Sequence, residues 1–175
     1  MYKEKIETKD LVLKKASMDD LNDMYKNIWS QEESAKYMLW IPTKNIEEAE
    51  DRLKRTIEFQ KDKFAYLVYE KKSGQAIGFA GMKEIRDKVY EDSGIGIGLK
   101  FLRRGYGKQI LMALVEYCSE DLRAIKIVCS CRSENIVSKK LQQSCGFNYT
   151  HSQTMVDKRD GLKYMLDFYE LIRNE

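Results

Sequence analysis

A basic, glycine-containing turn between a strand and a helix constrains this chain most. It runs Gly98-Leu99-Lys100-Phe101-Leu102-Arg103-Arg104-Gly105-Tyr106-Gly107-Lys108-Gln109. Before it, Ser93-Gly94-Ile95-Gly96-Ile97-Gly98 alternates isoleucine with glycine, as one face of a strand does. After it, Ile110, Leu111, Leu114, Val115 and Cys118 recur at helical spacing. A helix that starts in this way turns several unpaired N–H groups and the positive end of its dipole toward one spot. Gly105 and Gly107 have no Cβ, so an anion can come close to the backbone. Arg103, Arg104 and Lys108 add positive charge. The pattern describes a phosphate cradle. Its plain alternative is a basic helix start with a glycine turn and no ligand.

The better-known phosphate loops fit poorly. A Walker A loop follows Gly-Lys with Ser or Thr to hold magnesium. Here Gly107-Lys108 is followed by Gln109, and position 102, five before Gly107, is a leucine. A dinucleotide fingerprint needs a third glycine where Ile110 stands and belongs at the start of a βαβ unit.

The 175 residues suit one domain spanning 1–175 and suffice to bury a core. With 43% hydrophobic and 34% charged residues, the composition is that of an ordinary globular chain. A net charge of +3 is too small to imply a nucleic-acid partner. No apolar run is long enough for a membrane span, and no signal segment follows the first residues, so a cytoplasmic location is expected. Cys118, Cys129, Cys131 and Cys145 fall in apolar patterns without a Cys-x-x-Cys pair. They read as buried, reduced thiols, and no metal site is expected.

In chain order, residues 10–15 read as a strand, and Ser17 as the cap of a helix with the stripe Leu21, Met24, Tyr25 and Ile28. Residues 31–40 read as a short helix or loop. Pro42 breaks the chain before a long helix over 45–62, capped by Thr43 or Asn45. Strands follow at 64–70, 76–82 and 95–99, then the turn and its helix. A strand at 125–131 and a helix at 135–144 come next, the latter closed by Gly146. Two strands, 149–156 and 164–171, end the pattern around Asp160-Gly161.

Leu102-Arg103-Arg104-Gly105-Tyr106-Gly107 resembles the pyrophosphate loop of the GNAT superfamily of N-acetyltransferases, Gln/Arg-x-x-Gly-x-Gly/Ala, with Leu102 departing from its first position. A second segment, Asn135-Ile136-Val137-Ser138 followed by Cys145-Gly146-Phe147, is similar to that superfamily's Asn-x-x-Ser/Ala…Gly-Phe motif. Trp40-x-Pro42 before an acidic helix, together with Ser138, looks more like one branch: ribosomal-protein N-terminal, spermidine and some antibiotic acetyltransferases. The resemblance covers nearly the whole chain. It implies an α/β fold with a mixed, mostly antiparallel central sheet of about six to seven strands and helices on both faces.

It further implies acetyl transfer from acetyl-CoA to a primary amine on a small molecule, an antibiotic or a protein N-terminus. Ile97, Gly98 and Leu99 would pair with the pantetheine amides, and Leu102, Arg103, Arg104, Gly105, Tyr106, Gly107 and Lys108 would seat the pyrophosphate. Asn135 and Ser138 would line the opposite wall. Ser138 is expected to protonate the leaving thiolate, because Gln142 stands where most members place a tyrosine. Glu84 is the first choice of base, with Glu91 and Asp92 as further candidates. A base matters because a lysine-like amine titrates near 10.4 and an α-amine near 7.8, so deprotonation at pH 7 costs roughly 4.6 or 1.1 kcal/mol. Tyr37, Trp40 and Tyr90 are candidates to line the acceptor cleft, and His151, the only histidine, reads as structural. The resemblance allows a homodimer and gives no membrane or nucleic-acid partner. A non-catalytic module of the same fold that holds a CoA thioester stays open as the alternative.

Overall fold

In the computed structural model, which describes residues 2–173, one mixed sheet of eight strands carries helices on both faces. The strands are β1 (Lys5–Glu7), β2 (Leu11–Lys14), β3 (Ala65–Glu70), β4 (Ala76–Arg86), β5 (Val89–Ile97), β6 (Lys126–Arg132), β7 (Asn148–Val156) and β8 (Lys163–Ile172). Their order across the sheet is β1-β2-β3-β4-β5-β6-β8-β7. Only β5 and β6 run parallel. That pair requires a crossover, which α4 (Tyr106–Glu120) supplies. The sheet thus has one strand more than the sequence reading allows. The addition is β1, whose three residues are too few for an alternating pattern to show.

Strand alternation divides the interior into two cores. Leu11, Leu13, Tyr66 and Val68 face α4, whose Ile110, Leu111, Leu114, Val115 and Cys118 are buried against them. Leu67, Tyr69 and Ala76 face the other side, against Met24, Ile28, Trp29, Ala49 and Leu53. Those last residues come from α1 (Leu21–Met24), the π-turn that continues it (Tyr25–Trp29), and α3 (Ile46–Gln60). Ser17 opens the first helical run as its sequence suggests: the Asp20 carboxylate accepts its N–H at 2.7 Å. Asn45 caps α3, its Oδ1 accepting the Glu48 N–H at 2.8 Å. The segment between holds one short helix, α2 (Glu32–Ala35), and then an irregular stretch of turns and bends through Pro42. Last, α5 (Ile136–Ser144) leans on α4, with Leu141 in contact distance of Gly107. Among the described residues no helix is long and apolar enough to cross a membrane.

Candidate active site

The parallel pair β5–β6 is joined only at its beginning. Val89, Tyr90 and Glu91 pair with Lys126, Ile127 and Val128, and past that point the two strands part. The cause is local to β5. Its register with β4 shifts between Met82↔Asp92 and Ala80↔Ile95, where Gly94 takes φ +114. A bulge at that glycine bends the strand away from its parallel neighbour. The remainder of β5 keeps β4 on one side only, so its other edge carries unpaired backbone groups into a wedge-shaped opening.

Asp92 stands where the wedge closes. One carboxylate oxygen accepts the Gly94 N–H and the other the Ser130 N–H of β6, both at 3.1 Å. Burial pushes its pKa up to about 6, although those two N–H groups pull the other way. A carboxylate that titrates near neutrality, at the root of a cleft, suits proton abstraction.

On one wall lies the turn into α4. Leu99–Phe101 forms a 3-10 turn rather than the end of a strand, and the Gly98 N–H is already bonded to the Ile77 carbonyl. The free strand edge is therefore residues 92–97, which includes Ile97 and leaves out Gly98 and Leu99. Gly96 and Gly98 are bare for an internal reason. A Cβ on Gly96 would meet the Phe79 ring at 2.5 Å, and one on Gly98 the Asn27 carbonyl oxygen at 2.5 Å. Gly105 is different. It has φ +77, and a Cβ there would meet nothing within 4 Å. The glycine answers a left-handed backbone and an open approach rather than a crowded neighbour. The first bond into α4 runs from the Gln109 N–H to the Gly105 carbonyl, which leaves the N–H groups of Tyr106, Gly107 and Lys108 at the helix's open end. Gln109, the residue unfit for a Walker loop, holds this end in place. Its Oε1 accepts from the Thr8 hydroxyl and the Asp10 N–H, and its Nε2 donates to Asp10.

The three cations of the turn are not equivalent. Arg103, with φ +61, and Lys108 are exposed. Arg104 is engaged elsewhere: its guanidinium pairs at 2.8 Å with Glu70, whose side chain is buried and also accepts the Tyr106 hydroxyl at 2.7 Å. The expectation of three free cations around an anion becomes two. Leu102 is exposed beside them.

The opposite wall is β6 and α5. Asn135 caps α5 by accepting the Ser138 N–H at 3.1 Å. The Ser138 hydroxyl accepts from Gln142 Nε2 at 3.2 Å, so its own proton is the one to be donated, and the Cys131 thiol stands close enough to feel it. Gln142 is buried, and its Oε1 has no partner among the described residues. Lys139 anchors this wall at 2.9 Å to Asp167, which Ser133 and Ser152 also bond. Burial alone would raise the Asp167 pKa, but the Lys139 cation and the two hydroxyls outweigh it and hold it at about 2.

Other sequence candidates lie apart from the wedge or, like Glu91 at its fork, are engaged by another group. Glu84 pairs across from Tyr90 at the closed end of the sheet, and its exposed carboxylate accepts the Lys88 N–H of the β4–β5 hairpin. Glu91 is paired at 2.8 Å with Lys83. Tyr90 is a core residue beneath α4, not a cleft residue. His151 stacks on Phe168, centroids 4.6 Å apart, on edge strand β7.

Sequence reasoning missed a strap across the open end. The β7–β8 turn lies beyond the end of β6, because Arg132, the last residue of β6, already pairs with Leu166. From that turn Arg159 donates to the Trp40 carbonyl at 3.2 Å, reaching the segment that covers the β4 side. Asp157 holds Arg159 and Arg132 together, and the Arg132 guanidinium lies 3.9 Å over the Tyr164 ring. Asp157 and Arg159 are two positions apart, but nothing local marks the strap, since Arg132 lies 25 positions from Asp157 and Trp40 lies 119 from Arg159.

Residues 10–148 match the family model described as an acetyltransferase (GNAT) domain. An uncharacterized N-acetyltransferase p20 of Bacillus licheniformis is 24% identical over 177 residues, which span 98% of each chain. Among solved structures, a GCN5-related N-acetyltransferase from Brucella melitensis superposes with a TM-score of 0.86 at 18% identity, over 98% of this chain and 80% of the other. The RimL ribosomal L7/L12 alpha-N-protein acetyltransferase, solved with coenzyme A, superposes with a TM-score of 0.78 at 18% identity, over 97% of this chain and 98% of the other.

Proposed function

This chain belongs to the GNAT acetyltransferase family and is an N-acetyltransferase by that membership, and from this premise we propose that it moves the acetyl group of acetyl-CoA to an amine in the wedge between β5 and β6. The observation that carries the reading is the parallel pair that opens past Glu91, with the bare N-terminus of α4 on one wall and Asp92 at its root. The residues present suit the ligand. The N–H groups of Tyr106, Gly107 and Lys108 offer an anion seat, and a Cβ at Gly105 would enter open space. The unpaired edge over 92–97 suits an extended chain of amides, as an added strand would. That RimL was solved with coenzyme A supports the choice of ligand.

Acetyl-CoA, when bound, supplies an activated thioester. The residues of this chain do the rest. Asp92, ionised above about 6, takes a proton from the acceptor's ammonium through water, and the neutral amine so formed attacks the thioester carbonyl. It takes the role of base in preference to Glu84, whose hairpin carboxylate lies at the closed end of the sheet. Ser138 donates its proton toward the leaving sulfur. Little is asked of it, since a thiol near pKa 8.5 departs as thiolate only about 2 kcal/mol uphill at pH 7. The amine itself enters beneath the Trp40–Arg159 strap.

Two measurements test the reading. Acetyl-CoA is expected to raise the melting temperature of the purified chain, and addition of a panel of amines to release free thiol. Absence of any stabilisation by acetyl-CoA would sink the proposal. Stabilisation without thiol release from any amine would leave a binding module.

A further inference from the structure

A groove of about 790 Å³ lies between the segment 39–43 and the outer side of α3, with Arg159 of the strap in its wall. Its floor carries a cation that the fold leaves without a counter-charge. The Arg52 guanidinium lies between the chain's two tryptophans, 4.9 Å from the Trp29 ring and 4.4 Å from the Trp40 ring. Its one hydrogen bond is to the Thr43 hydroxyl at 3.1 Å, and among the described residues no carboxylate pairs with it. Arg55, one turn along the helix, adds a second positive charge. Burial, and then the neighbouring Arg55, bring the Arg52 pKa down to about 10, so it stays charged at neutral pH. Trp40 also presents a buried indole N–H with no acceptor. Two carboxylates reach the groove, from Glu48 and Asp51. Both are exposed, and Glu48 is engaged by the Lys44 N–H at 3.1 Å. Exposed Leu39, Ile41 and Phe59 complete an apolar wall.

A half-buried cation held between two rings, with no carboxylate paired to it among the described residues, is better satisfied when an anion comes to it. Its planar fork matches a carboxylate or a phosphate. The groove adjoins the strap under which the amine enters, because Trp40 and Arg159 belong to both. We infer that the acceptor amine carries an anionic group, a carboxylate or a phosphate, at its far end. That group seats on Arg52 and Arg55, and the apolar body of the acceptor rests on Leu39, Ile41 and Phe59. The inference names a substrate class for the transferase proposed above and rests on that proposal for its acetyl-transfer half alone.

Both tryptophans flank Arg52, so intrinsic fluorescence reports on this groove without any acetyl transfer. The probes are a ladder of ω-amino carboxylates of increasing length, their matching carboxamides, and aminoalkyl phosphates. Carboxylates or phosphates of one length class should titrate the fluorescence saturably, with half-points about tenfold below the amides or lower, the scale of one charge-assisted bond. Comparison of the two acid arms then tells a carboxylate from a phosphate. Arg52→Gln should abolish the difference. If that variant does not fold, Arg55→Glu on the exposed surface should weaken the acids by roughly fivefold or more while the amides hold. Equal titration of acids and amides, or acid binding that persists in Arg52→Gln, would overturn the inference. So would acids that bind and yet show no kcat/KM advantage over their amides in thiol release. A protein that binds the acids but acetylates no amine at all fails the transferase reading and leaves the anion groove in place.

Discussion

The two regions proposed to receive an anion are built by opposite means. At the start of α4, backbone N–H groups would do the binding within a run of a few residues, with side chains secondary. In the groove beside the strap, one guanidinium would do it, held by tryptophans and a threonine drawn from positions 29, 40 and 43. The first design tolerates changes of side chain. Leu102 replaces a polar residue of the motif, and Arg104 serves Glu70, without loss of the N–H groups. The second depends on packing, because Arg52 without its flanking rings would be an ordinary surface cation.

The largest effect should come from Gly105→Val, which places a branched side chain where φ is +77 and where the approach is open. Left-handed backbone costs such a residue on the order of 1–3 kcal/mol, so the melting temperature should fall somewhat. Stabilisation by acetyl-CoA should vanish, while the fluorescence titration of the groove stays as in the wild type. Retained acetyl-CoA affinity would break the contrast by moving the pyrophosphate away from the backbone cradle.

Asp92→Asn comes next, with kcat at pH 7 down by roughly a hundredfold or more, within the usual range for a lost general base. In the parent enzyme kcat/KM should rise with pH through about 6 as Asp92 ionises. Stability should move the other way. The folded pKa is raised above the ordinary 3.8, so between about 4 and 6 the native state binds more protons than the unfolded chain, and stability declines as pH rises, by roughly 2–3 kcal/mol across that window. A flat pH–rate profile would remove Asp92 from the chemistry and leave it a bridge between strands.

Ser138→Ala should lower kcat by roughly ten- to a hundredfold with little change in the KM for acetyl-CoA. An unchanged kcat, with chemistry shown to limit the rate, would reduce Ser138 to packing. The smallest effects sharpen the comparison within the turn itself. Lys108→Ala should weaken acetyl-CoA by only a few-fold, since exposed pairs contribute about 0–1 kcal/mol. Arg104→Ala should leave that affinity alone and instead lower the melting temperature, because it strips a partner from the buried Glu70 carboxylate. The reverse pattern would return Arg104 to the phosphate.

Much of the scaffold could be read from local pattern. Asn45 and Asn135 both cap the helices their positions suggest, and the continuous apolar run over 64–69 marks a strand, which the fold buries on both sides. Local pattern was weaker inside the wedge. Ser93-Gly94 looks like any glycine-rich strand, and nothing in it says that the bulge will divide β5 from β6 and leave Asp92 at the fork. Tyr90 has the composition of a cleft residue and the alternation phase of a core one, and the phase prevailed.

By itself the sequence determined the strand–turn–helix around Gly105, the caps, and the family, because each depends on residues within a few positions of one another or on motifs at fixed spacing. Only the tertiary structure decided which charges are free. Arg103, Arg104 and Arg52 look alike in a string of letters. Glu70 lies 34 positions from Arg104 and takes it, while among the described residues no carboxylate pairs with Arg52 between its two tryptophans. The energy of a charge is set by what surrounds it in space, and chain distance carries almost none of that information.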